Sequence, residues 1–276
     1  MISIFTDEIN REDPLRAVEL AAEWGVTHVE VRSLVGGRFP RVRDEEMEAF
    51  YARVCDAGLA VSGVSPGFFK CPIDDPSVAE GLSEGLPRAC EWARRWGTDL
   101  VSGFGFDRGQ GEGVPAEVVD RVGEMADIVS REGCRLALEN EPVCWGGTGL
   151  EAAQMIRQIG VDRITLCWDP GNSARAGSAC PYPDEYETVK DLVAHVHVKN
   201  YDPRTGGWVI AERGVVDWPG QLKALRSDGY GGFVVVETHL AISPDAFEVV
   251  DPTFSGLEAN SLRNLKFVRE CLGREV

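Results

Sequence analysis

Short β-branched runs alternate with amphipathic stretches along the whole chain, eight of each, and few folds accept such an order. The candidate strands are residues 2–6, 28–32, 60–64, 100–103, 135–139, 164–168, 193–199 and 232–237. They are nearly continuous apolar runs, as parallel strands buried on both faces require. The candidate helices are residues 14–24, 44–57, 77–96, 116–132, 150–159, 182–192, 219–227 and 257–272. In the fourth, Val118, Val122, Met125 and Val129 recur at helical spacing and form one apolar stripe. Gly25, Gly58, Gly97, Gly133, Gly160 and Gly229 follow the helical patterns as left-handed caps would, and Pro14 and Pro115 suit a first helical turn.

Eight rounds in 276 residues average about 34 residues, the size of one right-handed βα unit, and about 250 residues is usual for the closed barrel such units form. The pattern predicts an α/β fold, a single (β/α)8 TIM barrel with a parallel eight-stranded core, as one domain over residues 1–276. A doubly wound open sheet is the minor alternative. It lacks support because Thr-Asp-Glu-Ile-Asn, not a GxGxxG fingerprint, follows the first strand. The Gly/Pro-rich stretches 65–76, 103–115, 141–149 and 171–183 all follow strands, where a barrel builds its active-site face.

Charge narrows the partners. Lys and Arg total 28 against 45 Asp and Glu, a net −17, so the overall field opposes phosphate backbones and anionic lipid. The start, MISIFTDEIN, has no basic segment leading into an apolar run, and no window reaches about 18 uncharged apolar residues. A cytoplasmic protein without nucleic-acid or membrane partners is expected. The eight cysteines form no CxxC pair, which argues against a zinc ribbon or a thioredoxin motif and for reduced, mostly buried thiols.

The candidate chemistry lies at the C-terminal ends of the last four strands. These read Leu-Ala-Leu-Glu139, Leu-Cys-Trp-Asp169, His-Val-His197 and Val-Val-Val-Glu237. Such groups on adjacent strands repel one another unless a cation compensates them, and a divalent metal does so. Oxygen donors with one imidazole suit Mn²⁺ or Mg²⁺ first, with Co²⁺, Fe²⁺ and Zn²⁺ as alternatives. His195 shares the strand face of His197 but lies deeper, as a core or supporting histidine. Lys199 has the same parity one step further out, suited either to a substrate oxygen or to a surface salt bridge.

At these residues the chain resembles the xylose-isomerase-like TIM-barrel superfamily, the sugar phosphate isomerase/epimerase group with tagatose/psicose epimerases, hydroxypyruvate isomerases and inosose dehydratases. The resemblance rests on Glu139, on Asp169-Pro-Gly-Asn172, on His-Val-His197-Val-Lys199, and on the closing unit from Gly214-Val-Val-Asp-Trp to Gly-Tyr-Gly-Gly-Phe-Val-Val-Val-Glu237. It implies that Glu139, Asp169, His197 and Glu237 hold one divalent metal ion, with Glu139 and Glu237 as the catalytic acid and base. Lys199, Asn172, Lys70, Arg32 and Glu141 are the candidate substrate contacts. Arg32 and Lys70 lie in weaker matches, Val29-Glu-Val-Arg32 and Ser65-Pro-Gly-Phe-Phe-Lys70. The loop carrying Glu141, Trp145 and a Gly-Gly-Thr turn maps onto no one subfamily, and a histidine found near the third or fourth strand of many relatives is missing. Relatives are often dimers or tetramers, so a homo-oligomer is a further implication.

The expected activity is isomerase or epimerase chemistry on a small sugar, keto-sugar or polyol-derived substrate. A carboxylate removes a proton beside a carbonyl to give an ene-diolate. A dehydratase of the inosose dehydratase type needs the same ligands, and a non-catalytic sugar-binding barrel is the alternative of a different class. An abasic-site endonuclease would need more histidines than the four present and a less acidic chain. Phe68, Phe69, Phe104, Phe106, Trp145, Trp168 and Trp208 include few expected sugar platforms, and no glycine-rich phosphate cradle stands out. A small, polar, unphosphorylated substrate follows.

Overall fold

The computed structural model describes residues 1–111, 113–240 and 253–273. Eight parallel strands close into a barrel: β1 Ile2–Phe5, β2 His28–Val31, β3 Ala60–Val64, β4 Leu100–Gly103, β5 Arg135–Glu139, β6 Thr165–Trp168, β7 Val193–Val198 and β8 Val234–Val236. Neighbours in sequence are neighbours in the barrel, and β1 pairs with β8 in the register Ile2 to Val234. This is the (β/α)8 architecture that the alternation predicts.

The main outer helices are α1 Pro14–Glu23, α2 Asp44–Asp56, α3 Leu86–Arg95, α4 Ala116–Arg131, α5 Gly149–Ile159, α6 Tyr186–Val189, α7 Trp218–Ser227 and α8 Gly256–Cys271. The stripe Val118, Val122, Met125 and Val129 is buried against the strands, at 2% exposure or less. Among the described residues no helix is long and apolar enough to cross a membrane.

The differences from expectation have local causes. The stretch 77–96 is not one regular helix: Ser77–Glu80 widens at Gly81–Gly85 before α3 begins. Pro87 has no N–H for the carbonyl four residues back and its ring crowds that carbonyl, so the turn opens. The stretch 182–192 starts late because Tyr182, before Pro183, is extended at φ −130, ψ 132. Pro115 is the N-terminal cap of α4 and lies just outside its first turn. Gly232 stays out of the last strand, and a Cβ there would meet the Ala194 carbonyl oxygen at 2.6 Å.

One unexpected element matters for the site. The segment after β6 is a short helix, Pro170–Arg175, where the glycine suggests a loop. Asp169 caps it, its side chain accepting from the Asn172 N–H at 2.8 Å, and Pro170 occupies the first turn.

Candidate functional site

Inward-facing positions follow the two-residue period of the strands, and at the upper end of the barrel that period brings charged groups together. Glu139 ends β5, Asp169 follows β6, His197 lies on β7 and Glu237 follows β8. One donor atom from each lies within 4.8 Å of the others. His197 Nδ1 stands 3.3 Å from Glu139 Oε1 and 3.4 Å from Glu237 Oε2. All four residues are buried, yet His197 Nδ1 and Asp169 Oδ2 have no hydrogen-bond partner among the described residues.

A second layer holds these donors in place. His197 Nε2 faces Glu30 Oε1 at 3.4 Å, while Glu30 Oε2 is 2.5 Å from His195 Nε2. The Asn172 amide donates to Glu139 Oε1 at 3.3 Å and to the Asn140 carbonyl at 2.8 Å. The Asn140 side chain donates to the Asp169 carbonyl and accepts from the Asp169 N–H. Asn172, expected to meet substrate, is instead buried behind Glu139 with both amide hydrogens engaged.

Two cations flank the ring. Lys199 Nζ donates to Glu237 Oε2 at 2.8 Å and lies 2.9 Å from Asp169 Oδ2, out of hydrogen-bond alignment. Its position excludes the surface salt bridge considered from sequence, because the side chain is 2% exposed. Arg32 donates to Asp7 at 2.8 Å, to Glu237 Oε1 at 2.6 Å and to Glu8. Lys70 pairs with Glu141 at 2.6 Å on the rim and lies over the Phe104 ring. Arg32 and the Lys70–Glu141 pair line a cavity of about 370 Å³ with Arg38, Glu139, Glu237 and His239.

Burial alone would raise the Glu237 carboxyl, but Lys199, His239 and Arg32 hold it well below the usual range. Glu139 is also lowered, with His197 overcoming burial. Burial holds Asp169 above the usual range, and Glu237 and Glu139 add to this against Lys199. His197 is raised: burial disfavours its charged form, but Cys167, Glu139 and Glu30 outweigh that. The donor set of carboxylate oxygens and one imidazole, with two buried atoms that make no hydrogen bond among the described residues, fits a divalent cation. A carboxylate behind the imidazole is the usual support of a metal-binding histidine.

Several residues at the site escape the strand-end reading. Asp7 and Glu8 belong to a short helix, Thr6–Ile9, directly after β1. Applying the strand-end rule to the first strand would have found them. Glu30 is signalled by a charge in the middle of an apolar strand, His-Val-Glu-Val. His239 lies in the left-handed region at φ 55, with Nδ1 3.1 Å from Glu8 and 3.4 Å from Glu237. Of the aromatics considered from sequence, Phe104 lines the upper cavity, and the Trp208 ring lies 5.2 Å from Lys199 Nζ. Phe68, Phe69, Phe106, Trp145 and Trp168 are buried in packing.

A larger cavity of about 920 Å³ opens at the opposite, N-terminal end, beside His28, Asp99 and Arg135. Chemistry rather than size selects the upper cavity, since barrels use their C-terminal face for reaction.

A family model described as xylose isomerase-like TIM barrel matches residues 18–270. A search of curated proteins finds no match. Among solved structures, the probable 3-DHS dehydratase AsbF of Bacillus anthracis is similar at 15% identity and TM-score 0.74, covering 96% of this chain and 98% of that one. D-Psicose 3-epimerase from Clostridium cellulolyticum H10, solved with D-tagatose, is similar at 16% identity and TM-score 0.74, with 98% of each chain covered. A xylose isomerase-like TIM barrel protein from Mycobacterium smegmatis, in complex with magnesium, is similar at 21% identity and TM-score 0.69, covering 94% of this chain and 87% of that one.

Proposed function

The chain belongs to the xylose isomerase-like TIM barrel family, and from that premise we propose a divalent-metal-dependent isomerase or epimerase of a small sugar, keto-sugar or polyol-derived substrate. The observation that carries this is the ring of Glu139, Asp169, His197 and Glu237, in which two buried atoms, His197 Nδ1 and Asp169 Oδ2, make no hydrogen bond among the described residues. These four residues would hold one Mn²⁺ or Mg²⁺ ion, and magnesium in a protein of the same fold supports that choice. When bound, the ion polarises a carbonyl and acidifies the adjacent C–H.

The protein groups then move the proton. Glu139 and Glu237 are both held ionised, so either can accept a proton from the substrate carbon, and they come from different strands. Return of a proton to the other face gives an epimer, and to the neighbouring carbon an isomer. Arg32 fixes Glu237 through Oε1, and Lys199 offers its ammonium to a substrate oxygen beside Oε2. The cavity of about 370 Å³ suits one small molecule. The eight free thiols suit a reducing cytoplasm.

A lyase reading shares these groups, and a similar structure named as a probable dehydratase supports keeping it. Loss of a hydroxyl β to the abstracted proton would give it. The test is to incubate Mn²⁺-loaded protein with ketoses, aldoses, inososes and hydroxy-keto acids in D₂O and follow proton NMR. Deuterium beside a carbonyl with a new epimer or isomer is expected. Loss of water would move the assignment to a dehydratase, and silence with metal bound would overturn the catalytic proposal.

A further inference from the structure

Arg38 differs from every other cation lining the upper cavity. Arg32, Lys70 and Arg11 each reach a carboxylate, and so does Lys199 beside them. Among the described residues Arg38 has no ion pair. Its single hydrogen bond, from Nε to the Pro66 carbonyl, is long at 3.4 Å. Its guanidinium has five N–H donors, so four have no acceptor among the described residues.

The position is built. Arg38 ends a short hairpin after β2, paired with Ser33. Its guanidinium lies against Gly67, where a Cβ would meet Arg38 Nη2 at 2.4 Å and Nε at 2.7 Å. Gly67 has φ +70, so both its conformation and the close approach favour glycine. Burial and the nearby Arg32 depress the Arg38 pKa to about 10, which marks a cation held at a cost. Asp7, Glu139 and Glu237 oppose that shift without touching it.

We propose that Arg38 receives a carboxylate of the substrate, so that the site takes a polyhydroxy or keto acid in preference to a neutral sugar. A planar guanidinium with a free edge matches a carboxylate through two parallel hydrogen bonds. One such fork balances one negative charge, whereas a phosphate dianion would add a second beside Glu139, Glu141 and Glu237. The site thereby has two poles: the proposed metal-binding ring that holds the reacting carbon, and Arg38 that holds the acid end. The location of the reacting carbon rests on the function proposed above; the anion preference does not.

Isothermal titration of the full chain, with and without Mn²⁺, tests this with D-gluconate, D-glucitol and D-glucitol 6-phosphate against wild type, R38Q and R38K. Gluconate should bind wild type at least about tenfold more tightly than glucitol, and R38Q should remove that ratio while leaving glucitol and Mn²⁺ affinities unchanged. R38K should restore part of it. A gluconate preference that survives in R38Q would overturn the proposal and assign the carboxylate to the metal or to Lys70. Tighter, Arg38-dependent binding of the phosphate ester would overturn it in favour of a phosphate receptor. An Arg38-dependent ratio in protein that fails to bind Mn²⁺ would sustain this proposal while removing the metal-dependent function.

Discussion

Lys199 Nζ stands 2.8 Å from Glu237 Oε2, so an ammonium flanks the carboxylate proposed to bind the metal. The lysine is a resident counter-ion for Glu237 and Asp169 and an electrostatic competitor of any incoming cation. Lys199→Met should therefore lower the thermal stability of the metal-free protein and tighten Mn²⁺ binding by about tenfold. Mn²⁺ titration checks it, and weaker binding in the variant would show that Lys199 does not oppose the ion.

Glu237→Gln should reduce turnover by about a thousandfold or more, within the range for loss of a positioned acid–base group, and weaken metal binding. The fold should persist, because Arg32 keeps Asp7 and Glu8 as partners. Circular dichroism and the D₂O exchange assay read the two effects separately. Turnover like wild type would reject Glu237 as a catalytic residue.

Glu30 does not line the cavity, yet it faces both His195 and His197. Glu30→Gln removes the charge that orients the His197 ring and should cost about 10–100-fold in metal affinity. Equal Mn²⁺ affinity in the variant and wild type would reduce Glu30 to a packing role.

Arg32 joins three carboxylates from β1 and β8 ends: Asp7, Glu8 and Glu237. Replacing it by Met leaves Asp7 without a cationic partner among the described residues and Glu8 and Glu237 with fewer, so Arg32→Met should destabilise the metal-free protein by about 3–5 kcal/mol. Urea unfolding measures this, and a loss below about 1 kcal/mol would mean that water or Arg38 takes over the charge.

A pH dependence comes from α8. Ser255 and Glu258 form a capping box there, and Glu258 also accepts from Arg16 and Asn10. Burial would raise the Glu258 carboxyl, but these partners hold it below its ordinary 4.5. A depressed folded-state pKa adds stability above the unfolded value, and that stability disappears as pH falls through the lower folded value. Glu258→Gln should cost about 1 kcal/mol at pH 7, with the gap closing as the medium is acidified below about pH 4. A gap independent of pH would show that hydrogen-bond geometry, not charge, is what matters.

Much of the barrel was legible because its strands are buried on both faces and announce themselves as apolar runs. β3, β4 and β5 span the predicted residues without change. Strand ends also carried the three acids of the ring, since an acid after an apolar run is costly to place by accident, and His197 lies near the same end of β7. What sequence could not supply was the pairing. Lys199 reads equally well as rim or floor until β7 is closed against β8, and Asn172 reads as a ligand contact until Asp169 caps the short helix that turns it behind Glu139. Arg38 gives no periodic signal at all, because a short hairpin and Gly67, rather than a barrel strand, determine its direction.

The pairing of β1 with β8 also sets an order of events during synthesis. A growing chain that has exposed Glu139, Asp169 and His197 still lacks Glu237, and Arg32 still lacks one of its three acceptors. The upper cavity comes into being only when the last strand is released and the ring of strands joins. Capture of the proposed ion would then have to follow closure of the barrel, because the fourth of its proposed ligands arrives with the last strand.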